Sequence, residues 1–287
     1  MSTILKWAGS KAGIMPALSV HLPQGKRLVE PFAGSCAVMM NTDYPQYLIA
    51  DINPDLINLY RQVKEHTRPF IVMAAQMFNQ NANFEDYYRI RGEFNLCLSL
   101  TLLQRAVYFL YLNRHGYRGL CRYNQKGGFN TPFAKNDTAY FPLAEIEAFA
   151  EKAQRATFIC ADFKETLQMV EGGDVVYCDP PYDGTFSQYF GDGFGKEQHS
   201  QLASMLAGIA DTNAVVCSNS DNEFTRQLYS RFNTSSVTAP RSIGSKAGDA
   251  KRGAEIIAVL KPQNEFAVIG WDMASGPDIS VEAGVPQ

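Results

Sequence analysis

Six short apolar runs rich in Val, Ile, Tyr and Cys limit what this chain can fold into more than any other feature. They are RLVE (27–30), YLIA (47–50), TFICA (157–161), DVVYC (174–178), NAVVCS (213–218) and AEIIAVL (254–260). Each is four to seven residues long, as buried strands are. Helical patterns follow several of them, at about 35–41, 54–66, 164–170, 196–210 and 222–231. This alternation predicts an α/β fold around a mostly parallel sheet. The stretch from about 60 to 150 breaks the rhythm. It reads as helices at 68–79, 84–95 and 101–113, then a Gly- and Asn-rich loop without a clear strand. We expect a helical insert between the second and third strands. Residues 1–57 and 145–262 then form the sheet domain and 58–144 the insert. Residues 263–287 lose periodicity, gain Gly, Pro and Ser, and are expected to be a mobile acidic tail.

The 287 residues are 46% hydrophobic and 19% charged, a composition that excludes wholesale disorder. No run of 18 apolar residues occurs, so no membrane span is expected. The opening MSTILKWAGSK is too polar and basic for a signal peptide. The six cysteines form no C-x-x-C pair, and Cys36, Cys160, Cys178 and Cys217 sit in or beside apolar runs. They read as reduced, mostly buried residues of a cytoplasmic protein. Four scattered histidines without a Cys/His cluster argue against a zinc site, and no metal is expected.

A net charge of −3 suggests no polyanionic partner, but the charge is unevenly spread. Beyond Lys261 there is no Lys or Arg, only Glu265, Asp272, Asp278 and Glu282; without these four the balance is 26 basic to 25 acidic residues. Residues 104–136 carry Arg105, Arg114, Arg118, Arg122, Lys126 and Lys135 and no acid. Residues 241–252 carry four basic residues and one acid. Two basic stretches on a near-neutral body suit a protein that grips phosphates on one face, although two solvated loops would also account for the charge. Tyr, Phe, Asn and Gly in the first stretch favour nucleic acid.

VEPFAGS (29–35) places a strand, a tight turn with Phe32 and Gly34, and a helix start. It is not the G-x-G-x-x-G phosphate fingerprint, and one glycine suits a ligand without a pyrophosphate. Asp51 ends the next strand, 17 residues after Gly34, where an acid can accept ribose hydroxyls; it could equally cap the helix of the DINPD turn. Together these features indicate a nucleoside ligand without diphosphate and point to S-adenosylmethionine. In KWAGSK (6–11), Lys11 could pair with that ligand's carboxylate and Trp7 could pack beside its aliphatic part; surface charge and core are the alternatives. Asp162 and Phe163 follow the TFICA strand and could meet the ligand's adenine ring or serve as a helix cap.

DVVYCDPPYDG (174–184) carries the most chemistry. An apolar strand delivers Asp179, Pro180, Pro181 and Tyr182 to its carboxyl end, where ligands bind in open α/β sheets. Two prolines stiffen the turn. They leave the Asp179 carboxylate and the Pro180 carbonyl as aimed acceptors and the Tyr182 ring as a stacking face. Two acceptors suit the NH2 of an exocyclic amine, whose lone pair is otherwise delocalised into its ring. Hydrogen bonds from both N–H groups would favour a tetrahedral nitrogen in line with a methyl sulfonium. Cys178 adjoins the motif, but its place in the strand points it into the core.

Taken in order, LKWAGSK, LVEPFAG, NTDY, ADIN-DLI-LY, FLYLNR-GY-GLCRYN, YFP, FAEKAQ and VVYCDPPY make the chain resemble the Dam-type DNA adenine-N6 methyltransferases. These are D12-class enzymes of bacteria and phages with a DPPY motif, and the resemblance runs from Leu5 to about Lys261. It implies a Rossmann-like S-adenosylmethionine-dependent methyltransferase sheet with a helical target-recognition insert, and S-adenosylhomocysteine as the product. By that likeness Trp7, Lys11, Asp51 and Asp179 bind the cofactor, Asp179 and Tyr182 engage a flipped adenine, and the site in double-stranded DNA is GATC. A monomer, or a weak dimer on DNA, is expected.

Arg122 in GYRGLCRYN (116–124) can make two hydrogen bonds to a guanine edge. In the family the matching Arg reads a guanine, the Lys corresponding to Lys6 contacts the other, and the aromatic matching Tyr117 wedges into the duplex. Base extrusion costs a few kcal/mol of stacking, so a wedge is expected. Leu120 and Pro132 would offer apolar contact to a thymine methyl, and Asn124 closes the DNA-contacting segment. Lys126, Lys135, Lys246, Lys251 and Arg252 would bind phosphate. The chain departs from the family at Arg118, where Asn is usual, and at Ser10, where Gly is usual. A long cation at Arg118 could reach a phosphate or the orphaned thymine. The loop after Tyr182 is short, with Tyr189 and Phe190 as candidate lids. Cytosine-N4, RNA-adenine or protein-glutamine methylation would usually place Ser or Asn at Asp179. A DNA-binding protein without catalysis would not need the Lys11, Asp51 and Asp179–Tyr182 set.

Overall fold

The apolar runs become strands because the sheet must be covered on both faces, and the burial pattern shows it. In the computed structural model, which describes residues 1–81, 83–96, 99–135, 139–182, 194–240 and 252–262, the chain enters through α1 (Met15–Ser19), β1 (Arg27–Glu30), α2 (Ala37–Met40) and β2 (Gln46–Asp51). The helices α3 (Pro54–Glu65), α4 (Thr67–Gln80), α5 (Phe84–Leu96), α6 (Leu102–His115) and α7 (Leu143–Ala153) follow. The chain then returns to the sheet through β3 (Ala156–Cys160), α8 (Phe163–Gln168), β4 (Val175–Cys178), α9 (Lys196–Ile209), β5 (Ala214–Ser220), α10 (Glu223–Leu228), β6 (Asn233–Pro240) and β7 (Arg252–Leu260).

The seven-stranded sheet has the order β3-β2-β1-β4-β5-β7-β6. The first five strands of this order are parallel, and β7 runs antiparallel to both neighbours. Successive residues alternate between its two faces. Leu28, Ile49, Tyr177 and Val216 join the core under α3 to α7, while Val29, Leu48, Val176 and Val215 pack with α8 and α9. The strand order reverses between β1 and β4, so the crevice above their carboxyl ends is the ligand position of such sheets. The α/β reading and the parallel sheet are therefore observed.

Local signals start the helices. Asn53 caps α3 through the amides of Asp55 and Leu56, with Pro54 in the first turn. Thr101 with Gln104, and Asp162 with Glu165, form capping boxes at α6 and α8. Helix α6 buries Val107, Phe109, Leu110, Tyr111 and Leu112 and packs on α3, α4 and α5, and α7 comes back onto α3. The buried Asp55 joins these parts: one oxygen accepts from Arg105 of α6 at 2.5 Å, the other from the Tyr123 hydroxyl at 2.7 Å.

Three features differ from the sequence reading. Strand β6 was not expected: NTSSVTAP has no apolar run, because it is the outermost strand and pairs only with β7. Helix α7 stands where the sequence suggests the end of a loop: Ile146, Phe149, Ala150 and Ala153 show helical spacing and are buried. Cys160 is exposed, because β3 is the opposite edge strand and its last residue faces out; Cys36, Cys121, Cys178 and Cys217 are buried. Residues 263–287 lie outside the described part. Among the described residues no helix is long and apolar enough to cross a membrane.

Replacing Asp55 by Ala removes the buried carboxylate that Arg105 and Tyr123 share. We expect a loss of about 3 kcal/mol, the scale for breaking a buried ion pair. Urea denaturation of wild type and variant measures it.

Candidate active site and DNA-reading loop

β4 ends at Cys178, so Asp179 and Pro180 emerge beside the carboxyl end of β1. The Asp179 carboxylate is fixed from two sides. Lys11 Nζ lies 2.8 Å from Oδ2, and the Ser218 hydroxyl donates to Oδ1 at 3.0 Å. Ser218 is itself 2.8 Å from the Tyr177 hydroxyl. A carboxylate offers about four acceptor positions, so two remain for a ligand amine. Lys11 is only 5% exposed. Besides Asp179 it donates to Gly9 O at 2.8 Å, lies 5.0 Å from the Tyr182 ring centroid, and is 3.9 Å from Glu255 on β7. The structure thus gives Lys11 to Asp179. Ser218 and Glu255 escaped the sequence reading. The signal for Ser218 was the parallel register: Cys178 pairs with Cys217, which brings the next residue of each strand together.

The turn after β1 forms the other wall. Gly34 has φ +45°, and a β-carbon there would fall 2.9 Å from Trp7 Nε1, so glycine is required for both its backbone and its contact with the indole. Asp51 clamps this turn: its carboxylate accepts from the Gly34 amide at 3.1 Å and the Asn53 amide at 3.0 Å. The helix cap in the DINPD turn is therefore Asn53 and not Asp51. Burial lifts the Asp51 carboxyl to about 6. Asp162 is a helix cap, accepting from the Lys164 and Glu165 amides. Phe32 and Phe163 stack at 5.8 Å, and Phe194, not foreseen, meets both edge-on at 5.6 Å. These rings give the crevice a flat apolar side.

Two other titratable groups lie beside the site. Burial pushes the Cys178 thiol well above its ordinary range, in keeping with a core residue. Glu30, 2% exposed at the end of β1, has its carboxyl lifted by burial to about 8, with the Asp179 charge adding to the shift. No three His, Cys, Asp or Glu residues among those described are placed to hold a metal ion.

Of the basic window, Arg105 and Arg114 lie in α6 and turn inward, onto Asp55 and Ile4 O, and the rest forms a loop between α6 and α7. Two antiparallel bridges fold it back, Gly116 with Phe133 and Tyr123 with Phe129. Tyr117 and Arg118 are exposed at its start, in the short turn that follows α6, with Arg118 at φ +54° and its guanidinium 5.2 Å from the Tyr117 ring centroid. Arg122 is oriented by Asn130, whose Oδ1 accepts from its Nε at 2.7 Å. Lys6 and Lys135 are exposed, Pro132 is exposed with its carbonyl accepting from the Tyr117 amide at 2.8 Å, and Leu120 is half-buried. Asn124 shapes the turn, accepting from the Lys126 and Gly128 amides at 2.9 and 3.0 Å. Gly119 has φ +66°, and a β-carbon there would fall 2.2 Å from Lys6 Cβ, so the loop rests directly on the KWAGSK segment. Tyr189, Phe190, Lys246 and Lys251 lie outside the described residues, as does the side chain of Arg252.

A parallel sheet with an Asp-Pro-Pro-Tyr turn at its switch point, and a basic loop beside it, define an amino-methyltransferase of nucleic acid. The family profile for D12 class N6 adenine-specific DNA methyltransferases matches residues 7–243, and the chain belongs to that family. It is similar to the Retron Ec67 DNA adenine methylase of Escherichia coli, 56% identical over 281 residues and covering 98% of each chain. It is also similar to the DNA adenine methylase of Salmonella typhi, 42% identical over 265 residues, 90% of this chain and 95% of that one. Among solved structures it is similar to precorrin-6y C5,15-methyltransferase from Geobacter metallireducens GS-15, with a TM-score of 0.38 and 9% identity over 91% of this chain and 100% of that one.

The raised Glu30 carboxyl has a sign that can be tested. The native state keeps a proton that the unfolded chain releases above the ordinary value of 4.5. The stability it contributes is full below that value and is lost as the pH rises through about 8. Glu30→Gln stays neutral throughout. Its stability relative to wild type should therefore grow by up to about 1.4 kcal/mol per pH unit across this window and level off above it. Urea melts at several pH values check this; a pH-independent difference would put the carboxyl in its ordinary range.

Proposed function

We propose that the protein transfers a methyl group from S-adenosylmethionine to the N6 amine of an adenine turned out of duplex DNA, with GATC as its site. The observation that carries this reading is the Asp179 carboxylate, held by Lys11 and Ser218 beside the Gly34 turn. The residues present suit the cofactor. Gly34 leaves room at the turn only for a hydrogen, Asp51 stands at the tip of β2, and Phe32, Phe163 and Phe194 offer a flat apolar face for an adenine ring. S-adenosylmethionine would supply a methyl group on a positive sulfur, which a neutral amine can attack without a covalent enzyme intermediate.

The chain's own groups do the rest. Asp179 and the Pro180 carbonyl accept the two N–H bonds of the amine, pull its lone pair out of the ring and hold the nitrogen in line. Tyr182 stacks on the extruded base, its ring backed by the Lys11 ammonium 5.0 Å from the centroid. After transfer the nitrogen sheds one proton, for which Asp179 is the adjacent acceptor. In the DNA-reading loop, Arg122 stands braced by Asn130 and presents a planar fork to a guanine edge. Tyr117 fills the gap left by the base, and Lys6, Lys126 and Lys135 contact DNA beside it. Arg118, exposed beside Tyr117, would add a phosphate or thymine contact.

Labelled S-adenosylmethionine with duplexes containing one GATC, and with duplexes altered at one base, tests this. Transfer confined to GATC supports the whole reading; transfer to altered sites as well keeps the chemistry and removes the specificity; no transfer to any duplex ends it. Asp179→Ala is expected to abolish transfer while cooperative unfolding remains. Arg122→Ala should cost about 1–3 kcal/mol of discrimination at one guanine, read from kcat/KM on the two kinds of duplex.

A further inference from the structure

Asn113 sits in the last turn of α6 and is completely buried, at 0% exposure. Its amide is fully engaged with two separate segments. Oδ1 accepts from the Lys6 amide at 2.9 Å, and Nδ2 donates to Lys6 O at 2.8 Å and to Gly119 O at 2.9 Å. One side chain thus ties the backbone that leads into Trp7 and Lys11 to the backbone of the loop that carries Tyr117, Arg118 and Arg122. The join is stiff. The neighbouring Arg114 donates from Nε to Ile4 O at 2.8 Å and from a terminal nitrogen to Thr3 O at 3.1 Å. Gly119 touches Lys6 so closely that no β-carbon fits between them. Packing alone would favour an apolar side chain here, as at Phe109, Leu110 and Leu112 of the same helix. A buried amide instead fixes relative position, because any slip of either segment leaves a buried polar group without its bond.

We infer that Asn113 is a positioning residue that makes the cofactor-holding segment and the base-reading loop one rigid unit, so that the sequence read by the loop controls how Trp7 and Lys11 are placed. The inference rests on the methyltransferase reading above. A cognate duplex that seats the loop moves or steadies Lys6, and with it Trp7 over Gly34 and Lys11 against Asp179. Such coupling is reciprocal: duplex and cofactor tighten each other's binding by the same factor.

Two variants of the full chain test it. Asn113→Asp keeps the volume and the acceptor for the Lys6 amide but loses the amide donations to Lys6 O, Gly119 O and Cys121 Sγ. Gly119→Ala pushes the loop off Lys6 and breaks the same join from the loop side while the Asn113 side chain is kept, so it serves if the first variant folds poorly. S-adenosylhomocysteine is titrated with and without a cognate duplex, and kcat/KM is compared between that duplex and one changed at a single base. In wild type the duplex should tighten binding by about fivefold or more, within the usual range of coupling. In the variants this factor should fall to about one and discrimination should drop about tenfold. Both readouts are ratios, which loss of folded protein does not move. Variants that keep both ratios overturn the inference. So does a wild type that methylates selectively yet binds S-adenosylhomocysteine equally with and without duplex, and the function then still stands. A wild type without transfer to any duplex overturns the function and this inference together.

Discussion

Everything in this molecule follows from the parallel pairing of β1 with β4, two strands that are far apart in sequence. Leu28 and Val29 lie opposite Val175 and Val176, apolar on both faces. The pair is closed at its lower end by Arg27, whose guanidinium lies 2.6 Å from the buried Asp174 carboxylate. Its upper end is where the sheet changes direction, and two turns leave from it, one with Gly34 and one with Asp179. Neither turn is a site alone. The register of a few buried valines and leucines sets the distance between them, and so the hydrophobic effect, not any polar contact, places the chemistry.

Once the two turns are adjacent, charge has to be settled in a partly dry place. A buried ion persists only when it is paired or neutral. The site uses both solutions. Lys11 answers Asp179 directly and Glu255 at longer range, while Glu30, with only the Met39 amide to support a charge, is held neutral by burial. Asp51 lies between these cases, with the backbone amides of Asn53, Gly34 and Ile52 supporting its charge and burial opposing it. The result is a crevice with a small set of fixed acceptors and few groups that must reorganise when a ligand arrives, which is what electrostatic catalysis requires.

How much of this the sequence discloses depends on whether a residue's signal is local. Buried strands such as DVVYC are readable because both faces must be apolar, whereas β6 is hidden because an edge strand can afford Ser and Thr. Asp179, Pro180 and Tyr182 stand out as a contiguous motif. Ser218 does not, since its partner is 39 residues away and only the strand register brings them together. Asp51 was found as an acid at a strand tip, but the division of labour with Asn53 needed the actual hydrogen bonds. Asn113 reads as an ordinary polar residue in a helix until its partners, 107 and 6 residues away, are seen. The run of cations was legible as an acid-free window, while the inward pairing of Arg105 and Arg114 and the brace on Arg122 by Asn130 were not.

The insert leaves the sheet on α3 and returns on α7, and these two helices pack against each other. Entrance and exit therefore share one doorway. What lies beyond it can lengthen, shorten or change its surface while every strand keeps its neighbour. In evolutionary terms the sheet is a fixed frame and the insert an exchangeable part, free to change as long as the doorway holds.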